Sequence, residues 1–347
     1  MAATYVDLRS DTVTRPSPAM REAMSRAEVG DDVYGEDPTV NRLQEVVAGR
    51  LGQEAGLFMA SGTMANQVAV GTACRGAEAI VEAESHLFHY EMAAAAARSG
   101  IQLYPVRGSG GVLTWADVAP AIRPAVEYLP RTGLIALENT HNRAGGKIYP
   151  VEAMAEIGAE ARRRDIPVFL DGARLWNAGV ATGLPLTAWT EHVDAVTVCF
   201  SKGLGAPVGS CLCGPADFIA AARGVRQSFG GAMRQVGIIA AAALYAVENN
   251  VERLAEDHHR ARRLAEGIGQ IAGMDVEPPD TNVVMVDVEE GAGDGASWER
   301  TLAEEGVGVH ALGPQRIRAV TNLDVDDAGI ERAVAVWEKV AGRLRAS

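Results

Sequence analysis

Lysine is what this chain most plainly lacks. Of its 32 basic residues only three are lysine, Lys147, Lys202 and Lys339, and the rest are arginine. A guanidinium stays charged, so chemistry that needs an amine able to lose its proton falls to those three. Basic clusters are missing as well and the net charge is −13, which excludes nucleic acid and anionic membrane as partners. No apolar run is long enough to span a bilayer; the longest helical one, 236–247, reads as a buried core helix. Asp7, Arg9 and Asp11 stand where a signal peptide would be apolar, so a cytoplasmic protein is expected. Of the four cysteines, Cys74, Cys199, Cys211 and Cys213, three lie in apolar strand-like runs, which suits small buried residues in a reducing compartment. Cys211 and Cys213 share a strand face, but further ligands at metal spacing are missing and no metal is expected.

What is present is alternation. Residues 1–35 show no clear periodicity and read as an extended arm that packs over the body or reaches a neighbouring subunit. Pro38 then opens a helix whose Val40, Leu43, Val46, Val47 and Leu51 fall at helical spacing. Strands are expected near 57–60, 79–82, 103–106, 134–137, 166–170, 195–200 and 210–213. Helices are expected between most of them, including an alanine-rich one over 90–99. This is an α/β pattern: a mostly parallel central sheet flanked by helices, with functional residues at the carboxyl ends of strands. Strand, helix, strand, helix after residue 245 suggests a smaller C-terminal α+β domain. The expected division is an arm at 1–35, a large α/β domain at 36–245 and a small domain at 246–347.

Lys202 stands out in this frame. It follows an apolar, β-branched strand and Ser201, and a glycine-rich bend comes directly after it. The leading reading is a Schiff-base lysine, and hence a carbonyl-bearing cofactor such as pyridoxal phosphate. Such a cofactor needs a carboxylate against its ring nitrogen, and Asp171 closes a buried strand. It needs backbone amides for its phosphate, and Ser61-Gly62-Thr63 enters a helix. It needs a flat side chain on its ring, and His86 or His89 follows a strand. An amino-acid carboxylate is best gripped by arginine. Arg174, three residues after Asp171, is a stronger candidate than Arg318, although any one of so many arginines is first of all a surface residue. His141 stays open between catalysis and structural hydrogen bonding. His192, His258, His259 and His310 receive no role.

Ordered motifs then add a resemblance over residues 6 to about 337. Asp7-Leu-Arg-Ser-Asp-Thr-Val-Thr14, Gly30-Asp-Asp-Val-Tyr-Gly-Glu-Asp-Pro38, Ser61-Gly-Thr-Met-Ala-Asn-Gln67 and His86-Leu-Phe-His-Tyr-Glu91 carry it in the first part. Glu138-Asn-Thr-His-Asn-Arg143, Asp171-Gly-Ala-Arg174, Ser201-Lys-Gly-Leu-Gly205, Gly230-Gly-Ala-Met-Arg-Gln235 and Arg318-Ala-Val-Thr321 carry the rest. The chain resembles the low-specificity L-threonine aldolases, pyridoxal-phosphate enzymes of fold type I, the aspartate aminotransferase-like fold.

The resemblance implies that Lys202 carries the cofactor, Asp171 pairs with its ring nitrogen and Gly62 and Thr63 bind its phosphate. It implies that His86 stacks on the ring, with Ser201, Arg174 and Arg234 also in the cofactor set. Ser10, Arg174 and Arg318 would hold the substrate carboxylate, His141 would lie near the β-hydroxyl, and Tyr34 and Tyr90 would line the site. Lys202, His86 and His141 are the implied catalytic residues. The implied reaction cleaves L-threonine or L-allo-threonine to glycine and acetaldehyde, reversibly, in a homotetramer built from dimers with shared active sites. Alternatives are cleavage of bulkier β-hydroxy amino acids, β-elimination or transamination, and, in another class, an inactive binding relative. Gln227 stands where many relatives carry lysine and Asn322 where they often carry histidine. Both put the preferred side chain in doubt rather than the cofactor.

Overall fold

Successive residues of a strand point to opposite faces, and that alternation divides the large core in two. The structure is a computed structural model describing residues 5–291 and 293–345. Leu57, Ala79, Val81, Leu134 and Phe169 pack under the helices Gly62–Ala73 and Ala216–Ser228. Their neighbours Phe58, Ile80, Ile135 and Leu170 pack under Pro38–Arg50, Val151–Arg162 and Gly237–Asn249. Each large apolar side chain so buried contributes about 1.5–3 kcal/mol, which fixes the sheet between two helical layers.

The sheet has seven strands in the order Ala55–Met59, Ser210–Gly214, Ala195–Cys199, Val168–Gly172, Thr132–Glu138, Glu78–Glu82 and Gln102–Val106. All neighbouring pairs are parallel except those made by Ser210–Gly214, which runs antiparallel to both its neighbours. The parallel strands therefore end on one edge. Glu82, Glu138, Asp171 and, just beyond Cys199, Lys202 come together there.

A second core lies under the antiparallel sheet His310–Ala311, Arg316–Val320, Val283–Val288 and Met274–Val276. The buried Trp298 and Trp337 rings stack in it at 5.2 Å, an arrangement worth about 0.5–1.5 kcal/mol beyond area burial.

Two expectations need correction. Of the arm expected at 1–35, the first four residues lie outside the described ones, and residues 5–35 are more than an extended arm. Val6–Asp7 pairs with Val307–Gly308, Val6 and Leu8 join the second core, and Pro18–Ser25 is a helix capped by Ser17, with Met20 buried in the first core. The helix over 90–99 is also broken. His86–His89 and Ala94–Ser99 are separate helices, joined by Met92 and Ala93 at φ 54°. Two left-handed residues in a row cost of order 1–2 kcal/mol each. Across this corner Met92 points out, 92% exposed, and Glu91 is turned in, 1% exposed.

Candidate active site

Where the parallel strands end, a cavity of about 220 Å³ opens between the two sheets. Ser10, His86, Tyr90, Arg174, Lys202 and Arg318 line it, all of them expected at the site, and Thr12, Asn142 and His310 complete its wall. Lys202 is the lysine without a hydrogen bond or ion pair among the described residues. Lys147 pairs with Asp280 at 3.3 Å and Lys339 with Glu305 at 2.7 Å. The Lys202 backbone is pinned, its carbonyl accepting from Thr14 Oγ1 at 3.1 Å and from the Gly205 amide at 2.8 Å. Main chain fixed and amine free is the arrangement a nucleophilic lysine requires.

Asp171 is buried at the strand edge. Its Oδ1 accepts from the Ala173 amide at 3.0 Å and its Oδ2 from Asn66 Nδ2 at 2.6 Å. The same Asn66 nitrogen donates to Glu91 Oε1 at 2.8 Å, and Thr197 Oγ1 donates to Asn66 Oδ1 at 2.8 Å. His86 Nδ1 meets Glu91 Oε1 at 2.9 Å, and the His86 amide donates to Glu138 Oε2 at 2.7 Å. Ligand atoms of His86, Glu91 and Asp171 thus lie within 4.8 Å of one another. Their oxygens are engaged by Asn66, Gln67 and a backbone amide, which makes the cluster a hydrogen-bond network rather than a cation cage. Burial alone would lower the His86 pKa, but Glu91 and then Asp171 more than offset it and raise it.

The arginines stand opposite. Arg174 is gripped at two nitrogens by Asp11, its Nε reaching Oδ2 at 2.8 Å and its second terminal nitrogen Oδ1 at 2.6 Å. Burial would raise the Asp11 carboxyl, but the Arg174 charge and these bonds bring it down to about 2. Arg318 has no carboxylate partner among the described residues. It donates to Asn142 Oδ1 at 2.9 Å and to the Arg9 carbonyl at 3.4 Å, and its Nε is buried without a partner. Burial, with Arg174 nearby, lowers its pKa. Asn142 Oδ1 also accepts from Arg174 at 3.4 Å, so a neutral oxygen spaces the two guanidiniums without neutralising them.

His141 is placed differently from the expectation. It is 1% exposed and does not line the cavity. Its Nε2 meets Glu82 Oε2 at 3.0 Å and its Nδ1 accepts from the Ala144 amide at 3.2 Å. Both ring nitrogens are occupied, and burial, which would lower its pKa, is outweighed by Glu138 and Glu82. Gly62 and Thr63 open the helix Gly62–Ala73 behind the Ser61 cap but lie outside the cavity lining. A Cβ on Gly62 would come within 2.8 Å of Cys199 Sγ, so glycine lets this helix start abut the strand leading to Ser201 and Lys202. Tyr34 is 74% exposed, Arg234 pairs with Asp31 at 3.1 Å, and neither reaches this cavity. His89 turns to the Ala83 carbonyl at 3.0 Å, so of the two histidines considered for the ring His86 is the one that lines the pocket. Gln227 is exposed and away from the cavity. Asn322 is fully buried and binds the Asp7 carbonyl at 3.0 Å, so this departure ties down the N-terminal segment instead of reshaping the pocket.

Sequence reasoning gave no role to Asp11, Asn66, Glu91, Asn142 or His310. His310 lies directly across the sheet from Arg318, a neighbourhood that only the strand register shows.

The beta-eliminating lyase family matches residues 7–291. The low specificity L-threonine aldolase of Escherichia coli K12 is 44% identical, covering 97% of this chain and 100% of that protein. The low-specificity L-threonine aldolase 1 of Arabidopsis thaliana is 40% identical over 98% of this chain and 97% of that one. The chain belongs to the low-specificity L-threonine aldolases, within the beta-eliminating lyase family. Among solved structures, the threonine aldolase of Leishmania major superposes with a TM-score of 0.82 at 21% identity, covering 96% of this chain and 99% of that one. A putative L-allo-threonine aldolase of Listeria monocytogenes does so with a TM-score of 0.81 at 22% identity, covering 97% and 96%. The fold is type I, aspartate aminotransferase-like, with the small C-terminal sheet closing one side of the cavity.

Proposed function

We propose that this family member is a carbon–carbon lyase that cleaves L-threonine and L-allo-threonine to glycine and acetaldehyde, reversibly, with pyridoxal 5'-phosphate as cofactor. The observation that carries the reading is a lysine free of partners in a cavity that also holds an arginine free of carboxylates.

The residues present fit the cofactor. Lys202 offers the free amine, Asp171 a buried carboxylate braced on one side by Asn66, and His86 a flat ring held by Glu91. The first amides of the helix at Gly62 and Thr63 are natural phosphate donors, since the opening amides of a helix have no intrahelical partner. When bound there, pyridoxal phosphate supplies an electron sink for the pair released when the Cα–Cβ bond breaks.

The chain's own contribution is placement and proton control. Arg318 takes the substrate carboxylate, with Ser10 beside it and Arg174 held by Asp11 as the second wall of the clamp. Fixing that carboxylate sets which bond at Cα stands where it can break. Cleavage also requires loss of the β-hydroxyl proton. Of the two histidines weighed for that step, only His86 faces the cavity, and His141 supports the wall from behind. Lys202 recovers the resting state once glycine leaves.

Tyr34 and Arg234 complete a neighbour's site in this reading, because they are exposed here and outside this chain's own cavity. That is the arrangement of a homotetramer built from dimers with shared sites. We place the enzyme in a reducing, cytoplasmic setting, because all four cysteines are free and buried. No helix among the described residues is long and apolar enough to cross a membrane.

The test is product analysis with L-threonine and added pyridoxal phosphate. Equal amounts of glycine and acetaldehyde support the proposal. A keto acid and ammonia, the products of β-elimination, would replace it with the second activity the family description allows.

A further inference from the structure

Glu91 enters the scheme above only as the group that holds the His86 ring, yet it is a heavily engaged carboxylate beside the cavity. Its side chain is fully buried, and three side-chain bonds converge on it. Asn66 Nδ2 at 2.8 Å and His86 Nδ1 at 2.9 Å meet Oε1, and Gln67 Nε2 meets Oε2 at 2.5 Å. A carboxylate can only accept, so its contact with His86 places the ring hydrogen on Nδ1. The remaining ring nitrogen, Nε2, has no hydrogen-bond partner among the described residues. Glu91 is buried immediately before the left-handed corner at Met92 and Ala93, so the contact sits beside a strained stretch of backbone.

We infer that Glu91 is a positioning residue: it fixes His86 as the Nδ1–H form, leaves Nε2 as the ring's available nitrogen, and couples the ring to Asp171 through Asn66. The step it serves rests on the aldolase reading; the His86–Glu91–Asn66–Asp171 coupling itself does not. The charged and titratable groups facing His86 are Glu91, Asp171 and Glu138 from the surrounding segments, Lys202 across the cavity, and the Tyr90 ring at 5.4 Å. Of the acids, Glu91 is the one bonded to the imidazole, and its removal takes away the main influence opposing desolvation of the ring.

Gln67 shows how to separate charge from shape. Its Oε1 is buried without a partner while its amide nitrogen serves Glu91. In Glu91→Gln the new amide can donate to that oxygen once the Gln67 amide turns, and its own oxygen can still accept from His86 and Asn66. The variant therefore keeps the contacts and loses the charge.

The experiment follows carbethoxylation of His86 against pH by peptide mass spectrometry, in the full chain with and without pyridoxal phosphate, alongside the pH profile of L-threonine cleavage. Only neutral imidazole reacts, so the midpoint reports its titration. The wild-type midpoint is expected above that of free histidine. In Glu91→Gln it moves to lower pH, and kcat falls by roughly tenfold or more with KM nearly unchanged. A His86 midpoint the same in Glu91→Gln as in the wild type would overturn the inference. So would a wild-type midpoint at or below that of free histidine, a measurement that needs no variant to fold. A chain that makes no glycine from threonine but shows the shifted midpoint would defeat the functional reading and leave the coupling standing.

Discussion

On the wall built by the central sheet, Asp171, Asn66, Glu91 and His86 satisfy one another through bonds of 2.6–2.9 Å. Across the cavity Arg318 keeps a buried Nε without a partner and shares one neutral oxygen, that of Asn142, with Arg174. The first wall is bonded through from Asp171 to the His86 ring, leaves only the ring's Nε2 open, and defines a shape. The second is held short of saturation by an amide where a carboxylate would have neutralised it. A buried, unsatisfied cationic donor is costly in the empty chain, and an arriving carboxylate removes that cost. The difference teaches which side recognises the amino acid and which side holds the chemistry.

The comparison can be broken in order of severity. Lys202→Ala removes the one amine between the two walls. Turnover should fall to background, at least about a thousandfold, with loss of the cofactor's absorbance near the visible edge. Full activity in that variant would end the account.

Asp11→Asn attacks the clamp from beneath by leaving Arg174 buried and uncompensated. Unfolding should cost about 3–5 kcal/mol less, measured by denaturant titration. The pH dependence of wild-type stability tests the same pair. The Asp11 carboxyl lies at about 2 when folded against 3.8 in the free residue, so its contribution is whole above pH 3.8 and is lost as pH falls through about 2. A wild-type stability that does not fall over that window would contradict the pairing.

Arg318→Gln should raise KM for L-threonine by roughly ten- to a hundredfold, the value of a charge-assisted contact, and change kcat less. A collapse of kcat at constant KM would move Arg318 from recognition to chemistry. His310→Ala is expected to be mildest. His310 is half exposed and its contact with Glu299 is long, 3.6 Å, so kcat/KM should change by no more than about fivefold.

How much of this was readable beforehand follows from where each signal lies. Lys202 and Asp171 were legible because rarity and strand ends are local properties of the sequence. The parallel sheet was legible for the same reason, as apolar runs alternating with helical spacing. The role of Asp11 was not, since its partner Arg174 lies 163 residues away and the motif that contains it pointed only to Ser10. Asn66 and Asp171 are 105 residues apart and meet only because helix and strand are packed together. Glu91 was hidden by the alanine-rich run after it, which reads as one helix and conceals the left-handed corner. The antiparallel Ser210–Gly214 had a clue in its short glycine-rich link to Lys202, since a parallel return needs a crossover of about a dozen residues or more. His141 misled because a histidine just after a strand end looks available, and only the fold shows Glu82 and the Ala144 amide holding both of its nitrogens.

The most direct test uses the scarcity of lysine. The full chain is loaded with pyridoxal phosphate, reduced with borohydride and digested, and the modified peptide is located by mass spectrometry. The account predicts one pyridoxyl group per chain, on Lys202, and none on Lys147 or Lys339, which are held by Asp280 and Glu305. A label on either of those lysines, or no label at all, would contradict it.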